Sequence, residues 1–192
     1  MTTETNFYQQ TDAIINHRAS TKVKMKQLLQ VLMDFDAYAK ENQVTSFADA
    51  ALSKGEELKT NIHTLYQDFH YSYPSVDVVV AHHNILEALR LQFTDDGDAW
   101  FFPFTAVLQG YAYNHDVENI DSLKQHLLSI YKKQPLAIYH AIFSGLKISC
   151  DQALLKQYYQ EVVNVEPTSS DEIKHLEAIH EIYESLIWKH RA

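Results

Sequence analysis

Two groups of residues in this chain have types and spacings that could do chemistry. The first is His63, His83 and Glu87. His63, Tyr66 and His70 recur at steps of three and four, so they share one side of a helix. His83 and Glu87 are four apart on the next predicted helix. If Tyr73-Pro74-Ser75 reverses the chain, His63 comes level with Asn84 and Ile85, and the two imidazoles and the carboxylate converge. Neutral imidazoles with one carboxylate suit a divalent transition metal. Such a metal lowers the pKa of a bound water and makes it a nucleophile. The competing reading is plain: histidines on a helix surface, or hydrogen-bonded near the core.

The second group is Thr94-Asp95-Asp96-Gly97-Asp98-Ala99-Trp100-Phe101-Phe102-Pro103-Phe104. Rings beside carboxylates suit a cationic ligand or a basic protein partner, through cation–π contact and charge. The expected contact residues are Asp95, Asp96, Asp98, Trp100, Phe101 and Phe102. Paired aspartates can also bind hard cations, but an EF-hand loop needs alternating acids and a distal Glu, and this stretch has neither. The competing reading is a turn. Asp and Gly are turn formers, Asp98 would cap the following helix, and the rings would enter the core.

Charge favours the second group. The net charge is −9 over 192 residues. Residues 61–120 hold one base, Arg90, against eight acids, a balance of −7. The same segment carries 11 of the 23 aromatic residues and five of the 11 histidines. An acidic chain of this kind is not expected to bind nucleic acid. A basic cluster, His17, Arg18, Lys22, Lys24 and Lys26, stands near the start of the second predicted helix, where it opposes the macrodipole.

Three weaker patterns complete the inventory. Glu172/His175 and Glu177/His180 each read Glu-x-x-His, a spacing that di-iron bundles use on two separate helices. Here both fall on one helix, about 140° apart in direction, and a solvated acidic face with one core histidine is expected. His115-Asp116 after an apolar helix is weakly similar to the dyad of HD-type metal phosphohydrolases. That likeness implies an upstream histidine, His82 or His83, and a downstream aspartate, Asp151. The glycine common after the dyad is absent. Phosphate-binding glycine loops, serine elbows and zinc cysteine pairs are not found.

The elements that must position these residues are helical. Only four glycines and four prolines occur, and glycine-poor chains lack the tight turns of sheet proteins. Apolar residues recur at three- and four-residue steps. The expected stripes are Phe7, Ala13 and Ile14; Met25, Leu28, Leu29, Leu32, Phe35 and Ala39; Leu58, Ile62, Leu65 and Phe69; and Val79, His82, Leu86, Leu89 and Phe93. Val76–Val80 could be strand by composition but continues as helix. Asp98 or Pro103 should open the next helix, Asp121 another, Pro135 another. Ser149-Cys150-Asp151-Gln152 and Pro167–Ser170 should start the last two. The final stripe is Ile173, Leu176, His180, Tyr183, Ile187 and His190.

The expected fold is therefore all-α, about eight helices in a compact helical bundle or globule. Residues 1–192 are read as one domain, with sub-units 1–73 and 74–192 as the alternative division. One cysteine, no basic or apolar leader and no long apolar run point to a cytoplasmic protein off the membrane. The expected function is a non-enzymatic binding or regulatory module, with no cofactor, for a protein or small cationic ligand. A metal-dependent hydrolase or oxidase is the alternative. A homodimer through the C-terminal helix, with Ile173, Leu176, Tyr183, Ile187 and Trp188, is also compatible.

Overall fold

The computed structural model describes residues 6–50 and 54–188, with the side chains of His70, Asp96 and Trp188 outside the description. Every described element is helical. In order they are α1 (Phe7–Asn16), α2 (Thr21–Glu41), α3 (Phe47–Ala50), α4 (Gly55–Gln67), α5 (Val76–Gln92), α6 (Phe101–Tyr113), α7 (Val117–Ile130), α8 (Pro135–Ser149), α9 (Gln152–Val162) and α10 (Ser170–Trp188). Two 3₁₀ segments, Phe69–Ser72 and Thr94–Trp100, precede α5 and α6. The all-α class is thus as expected, with ten α-helices among the described residues rather than about eight. The chain divides into two compact units, Met1–Phe104 and Thr105–Ala192.

In the first unit α2 lies against α1, α4, α5 and the Phe69–Ser72 segment. Its predicted stripe is buried at Met25, Leu28, Leu32, Phe35 and Ala39. In α1 the inward residue beside Phe7 and Ile14 is Thr11 rather than Ala13. Thr11 can be buried because its hydroxyl donates to the Phe7 and Tyr8 carbonyls. Val76–Val80 is the first turn of α5, whose buried side is the expected Val79, His82, Leu86 and Leu89. Gly55 is the first residue of α4. A Cβ there would lie 2.6 Å from the Ala48 Cα, so α4 starts at the residue whose missing side chain lets it approach α3. Lys24 extends back to donate to the Ile15 carbonyl at 2.7 Å. Part of the basic cluster therefore satisfies the C-terminus of α1.

In the second unit α8 is central and packs on α7, α9 and α10. Pro135 occupies its first turn, as expected. Two helix starts differ from expectation. Asp116 rather than Asp121 caps α7, accepting from the Asn119 N–H. His115 takes a left-handed φ of 58°, which ends α6 and leaves Asp116 at the next start. Asp151 rather than Ser149 caps α9, accepting from the Leu154 N–H at 3.0 Å. The Ser149 hydroxyl instead donates to carbonyls of its own helix.

The buried side of α10 is also rotated from the predicted stripe. Glu172, Ile179, Ile182 and Leu186 are buried, while Ile173 is exposed. The reason is Glu172. Its carboxylate accepts from the Leu136 and Ala137 N–H groups at 3.0 and 3.3 Å. An acid from α10 thereby satisfies the free donors that begin α8, and this turns Ile173 outward. His190 lies outside the described residues.

Gly145 gives a direct test of the second unit. A Cβ at Gly145 would overlap the Gln109 carbonyl oxygen and lie 2.7 Å from the Ala112 Cβ and 2.9 Å from the Tyr113 N. Two of these are backbone atoms and cannot rotate aside. Gly145→Ala is expected to destabilise the protein by about 1–3 kcal/mol, read as a lower denaturant midpoint. An unchanged midpoint would contradict this contact between α6 and α8.

Candidate functional site

The site is built on the turn between α5 and α6. Phe93 closes α5 through its N–H to the Leu89 carbonyl. The 3₁₀ segment Thr94–Trp100 then leads straight into α6, where the Phe101 N–H donates to the Asp98 carbonyl. Neither predicted start of this helix is correct. Asp98 sits inside the 3₁₀ segment, and Pro103 is the third residue of α6. Proline is tolerated there because the first-turn N–H groups have no intrahelical acceptor.

The turn separates its residues into an anchor and an exposed edge. Trp100 is only 1% exposed, packed edge-on to Phe47 at 5.5 Å and stacked beside Phe93 at 6.4 Å. Phe47 and Phe93 in turn contact Phe35. A surface partner does not reach Trp100, so it is corrected from contact residue to anchor. Asp95 and Asp98 are exposed. They are three apart, and a 3₁₀ turn superimposes such residues on one side. Phe101 is half-buried, and Phe102 is 42% exposed with its ring against His63, centroids 4.1 Å apart. The side chain of Asp96 lies outside the description.

His63, His83 and Glu87 do not assemble. Among the described residues no three His, Cys, Asp or Glu side chains are grouped to hold a metal. Gln67 Nε2 lies 2.8 Å from His63 Nε2, so an amide donor engages that lone pair. Glu87 accepts from the Arg90 guanidinium at 2.8 Å. The simple reversal assumed at Tyr73-Pro74-Ser75 is replaced by the Phe69–Ser72 segment and a left-handed Tyr73. That changes the register. The histidine facing α4 is His82, and His83 is turned about 100° from it.

His82 is fully buried, with Nδ1 2.7 Å from the Tyr66 hydroxyl. Burial pushes its pKa down to about 4 and pushes the Tyr66 phenol well up. The phenol therefore keeps its proton and donates it to a neutral imidazole. The Met25 carbonyl favours the charged form, yet among the described residues no hydrogen bond of good geometry reaches Nε2.

The second unit holds polar groups that periodicity does not reveal. The Lys124 side chain, 7% exposed, donates to Glu161 at 2.8 Å and pairs with Asp121 at 3.0 Å. Its ammonium lies 4.8 Å from the Tyr158 ring centroid and 5.9 Å from that of Tyr139. Tyr139 donates to Glu161 and Tyr158 to Asp121. Burial, then those carboxylates, push both phenols far up. The group is closed on itself. Its members are up to 37 residues apart, and only packing brings them together.

His115 donates to Asp151 at 2.6 Å. The aspartate named from the sequence does meet this histidine, but it is also the cap of α9. Burial raises the Asp151 pKa, and the hydrogen bonds from the Leu154 N–H and His115 outweigh that and leave it lowered. Of the Glu-x-x-His residues, Glu177 is exposed and the other three make contacts within the fold. Glu172 is 2% exposed and caps α8; His175 meets His140, and His180 meets Tyr159.

The buried His82 sets an acid limit. Its pKa is lowered on folding from 6.5 to about 4, so the unfolded chain binds that proton more tightly. The stability it contributes is complete above pH 6.5 and is lost as pH falls towards 4. The loss is expected to reach about 3 kcal/mol at the low end. His82→Gln should flatten the fall of Tm across this window by the equivalent of one proton; an identical fall in both proteins would contradict it. Comparison with models of known protein families, with curated proteins and with solved structures finds no match, so the site rests on its own residues.

Proposed function

We propose that this chain is a non-enzymatic binding or regulatory module of the reducing cytoplasm, whose first unit offers an acidic, aromatic edge to a basic protein segment or a small cationic ligand. Asp95, Asp98 and Phe102 make the contact, with Asp96 and Phe101 beside them. Trp100 holds the turn from beneath. One observation carries the reading: a turn anchored by a buried indole leaves two carboxylates and a 42% exposed phenyl ring outward. A cation placed there gains charge attraction from the aspartates and cation–π contact from the ring. The surrounding segment, 61–120, supplies one base against eight acids, so the local field favours basic partners and speeds their encounter. The free thiol of Cys150 accords with a reducing compartment. Among the described residues no helix is long and apolar enough to cross a membrane.

A fluorescent lysine- and arginine-rich peptide, titrated with the full chain at low salt, tests this. Saturable binding is expected, weakened by Asp95→Asn with Asp98→Asn by about threefold to tenfold, in line with exposed ion pairs of a few tenths to 1 kcal/mol each. Phe102→Ala should weaken it further, and raised salt should abolish it. No saturable binding at low salt, or equal affinity for all variants, would reject the reading.

A further inference from the structure

The seam between α8 and α10 contains a contact that tolerates only one positive charge. His140 Nδ1 and His175 Nδ1 are 2.9 Å apart, with the rings tilted by 55° and both half-buried. At that distance one nitrogen carries the proton and the other accepts it. A second proton removes the acceptor and sets two cations side by side. We propose that this pair is an acid-sensitive latch, and that protonation of both imidazoles frees the first half of α10 from α8.

The neighbouring groups offer that second charge one carboxylate, Asp171, which is already paired with Lys174. On α8, Lys147 adds a further positive charge that acts on His140. On α10, Asp171 senses His175 but is exposed and is paired with Lys174 at 2.8 Å. Glu172 is committed to the Leu136 and Ala137 N–H groups. From α9 comes Tyr159, bonded to His180. The charges that α7 and α9 bring to α8, Lys124, Asp121 and Glu161, close among themselves around Tyr139 and Tyr158. At Gly145, α6 offers backbone atoms and the Ala112 methyl. Burial, then His175 and Lys147, lower the His140 pKa to about 4. Its second proton is thus resisted in the closed state and taken up readily in the open one. Opening is therefore favoured as pH falls below 6.5.

The other histidine of this helix is built differently. His180 Nδ1 is 2.7 Å from the Tyr159 hydroxyl. A hydroxyl both donates and accepts, so this bond survives protonation with its direction reversed. That contrast assigns the latch to His140 and His175 and makes His180 the internal control.

Hydrogen exchange of the full chain at pH 7.5 and 4.5, corrected for intrinsic rates, tests the latch. Protection of amides 170–180 is expected to fall at least tenfold more than that of α7 in the same unit. His140→Gln, which keeps a hydrogen-bonding side chain and cannot take the charge, should reduce that differential loss below twofold. His180→Gln should leave it intact. Equal loss in α7 and α10 of the wild-type chain, or a full differential loss in His140→Gln, would overturn the proposal. Should His140→Gln not fold, the wild-type profile and His175→Gln decide by the same criteria.

Discussion

Burial of the Trp100 indole is the contact on which the proposed binding edge depends. The segment it anchors has little local reason to hold one shape. Seven consecutive residues in 3₁₀ geometry exceed the usual three or four. Asp95 and Asp98 superimpose like charges, and Gly97 adds backbone entropy to be lost. Against this stand the large area of the indole and its ring contacts to Phe47 and Phe93, each such pair contributing about 0.5–1.5 kcal/mol beyond burial. Among the described residues the buried indole N–H meets no hydrogen-bond partner, a loss of about 1–3 kcal/mol. The anchor holds because hydrophobic packing outweighs that loss. Carboxylates at the edge are then fixed in place by a side chain that itself never meets solvent.

Both units bury polar residues, the first Thr11, Asp36 and His82 and the second Lys124 and Glu172. In the second, charges are drawn inward and satisfied: Lys124 by two carboxylates and two phenol rings, Glu172 by two backbone donors, Asp151 by a cap and an imidazole. A buried group whose bonds are complete fixes register and leaves nothing for a ligand. In the first unit the core is dominated by Phe7, Phe35, Phe47, Phe93 and Trp100, and carboxylates such as Asp95 and Asp98 remain outside. The proposed binding edge lies in the first unit because its carboxylates Asp95 and Asp98 are exposed beside the half-exposed Phe102 ring.

Local patterns were legible in the sequence and long-range pairings were not. The stripe of α5, from Val79 to Leu89, follows from the 3.6-residue period, and the Val76–Val80 run joins it because the helix continues beyond. The face of α10 was misread by one position because a glutamate counts as polar in any periodicity. Only the position of α8 shows that Glu172 is needed inside. The Lys124 cage was invisible for the same reason, since lysine is rarely buried unless paired and its partner Glu161 lies on another helix. The metal set failed on one geometric assumption, a clean reversal at Pro74, where a 3₁₀ segment intervenes and brings His82 to Tyr66. His115 and Asp151 were named together, yet their main service is to join the end of α6 to the start of α9.

The most direct test of the anchored edge is the environment of Trp100 itself. In a Trp188→Phe variant Trp100 is the sole tryptophan, and its emission and quenching by acrylamide can be read without interference. A buried anchor predicts blue-shifted emission and weak quenching, unchanged when Asp95 and Asp98 are replaced by asparagine. Red-shifted emission with efficient quenching would place the indole in solvent and contradict the account of the turn.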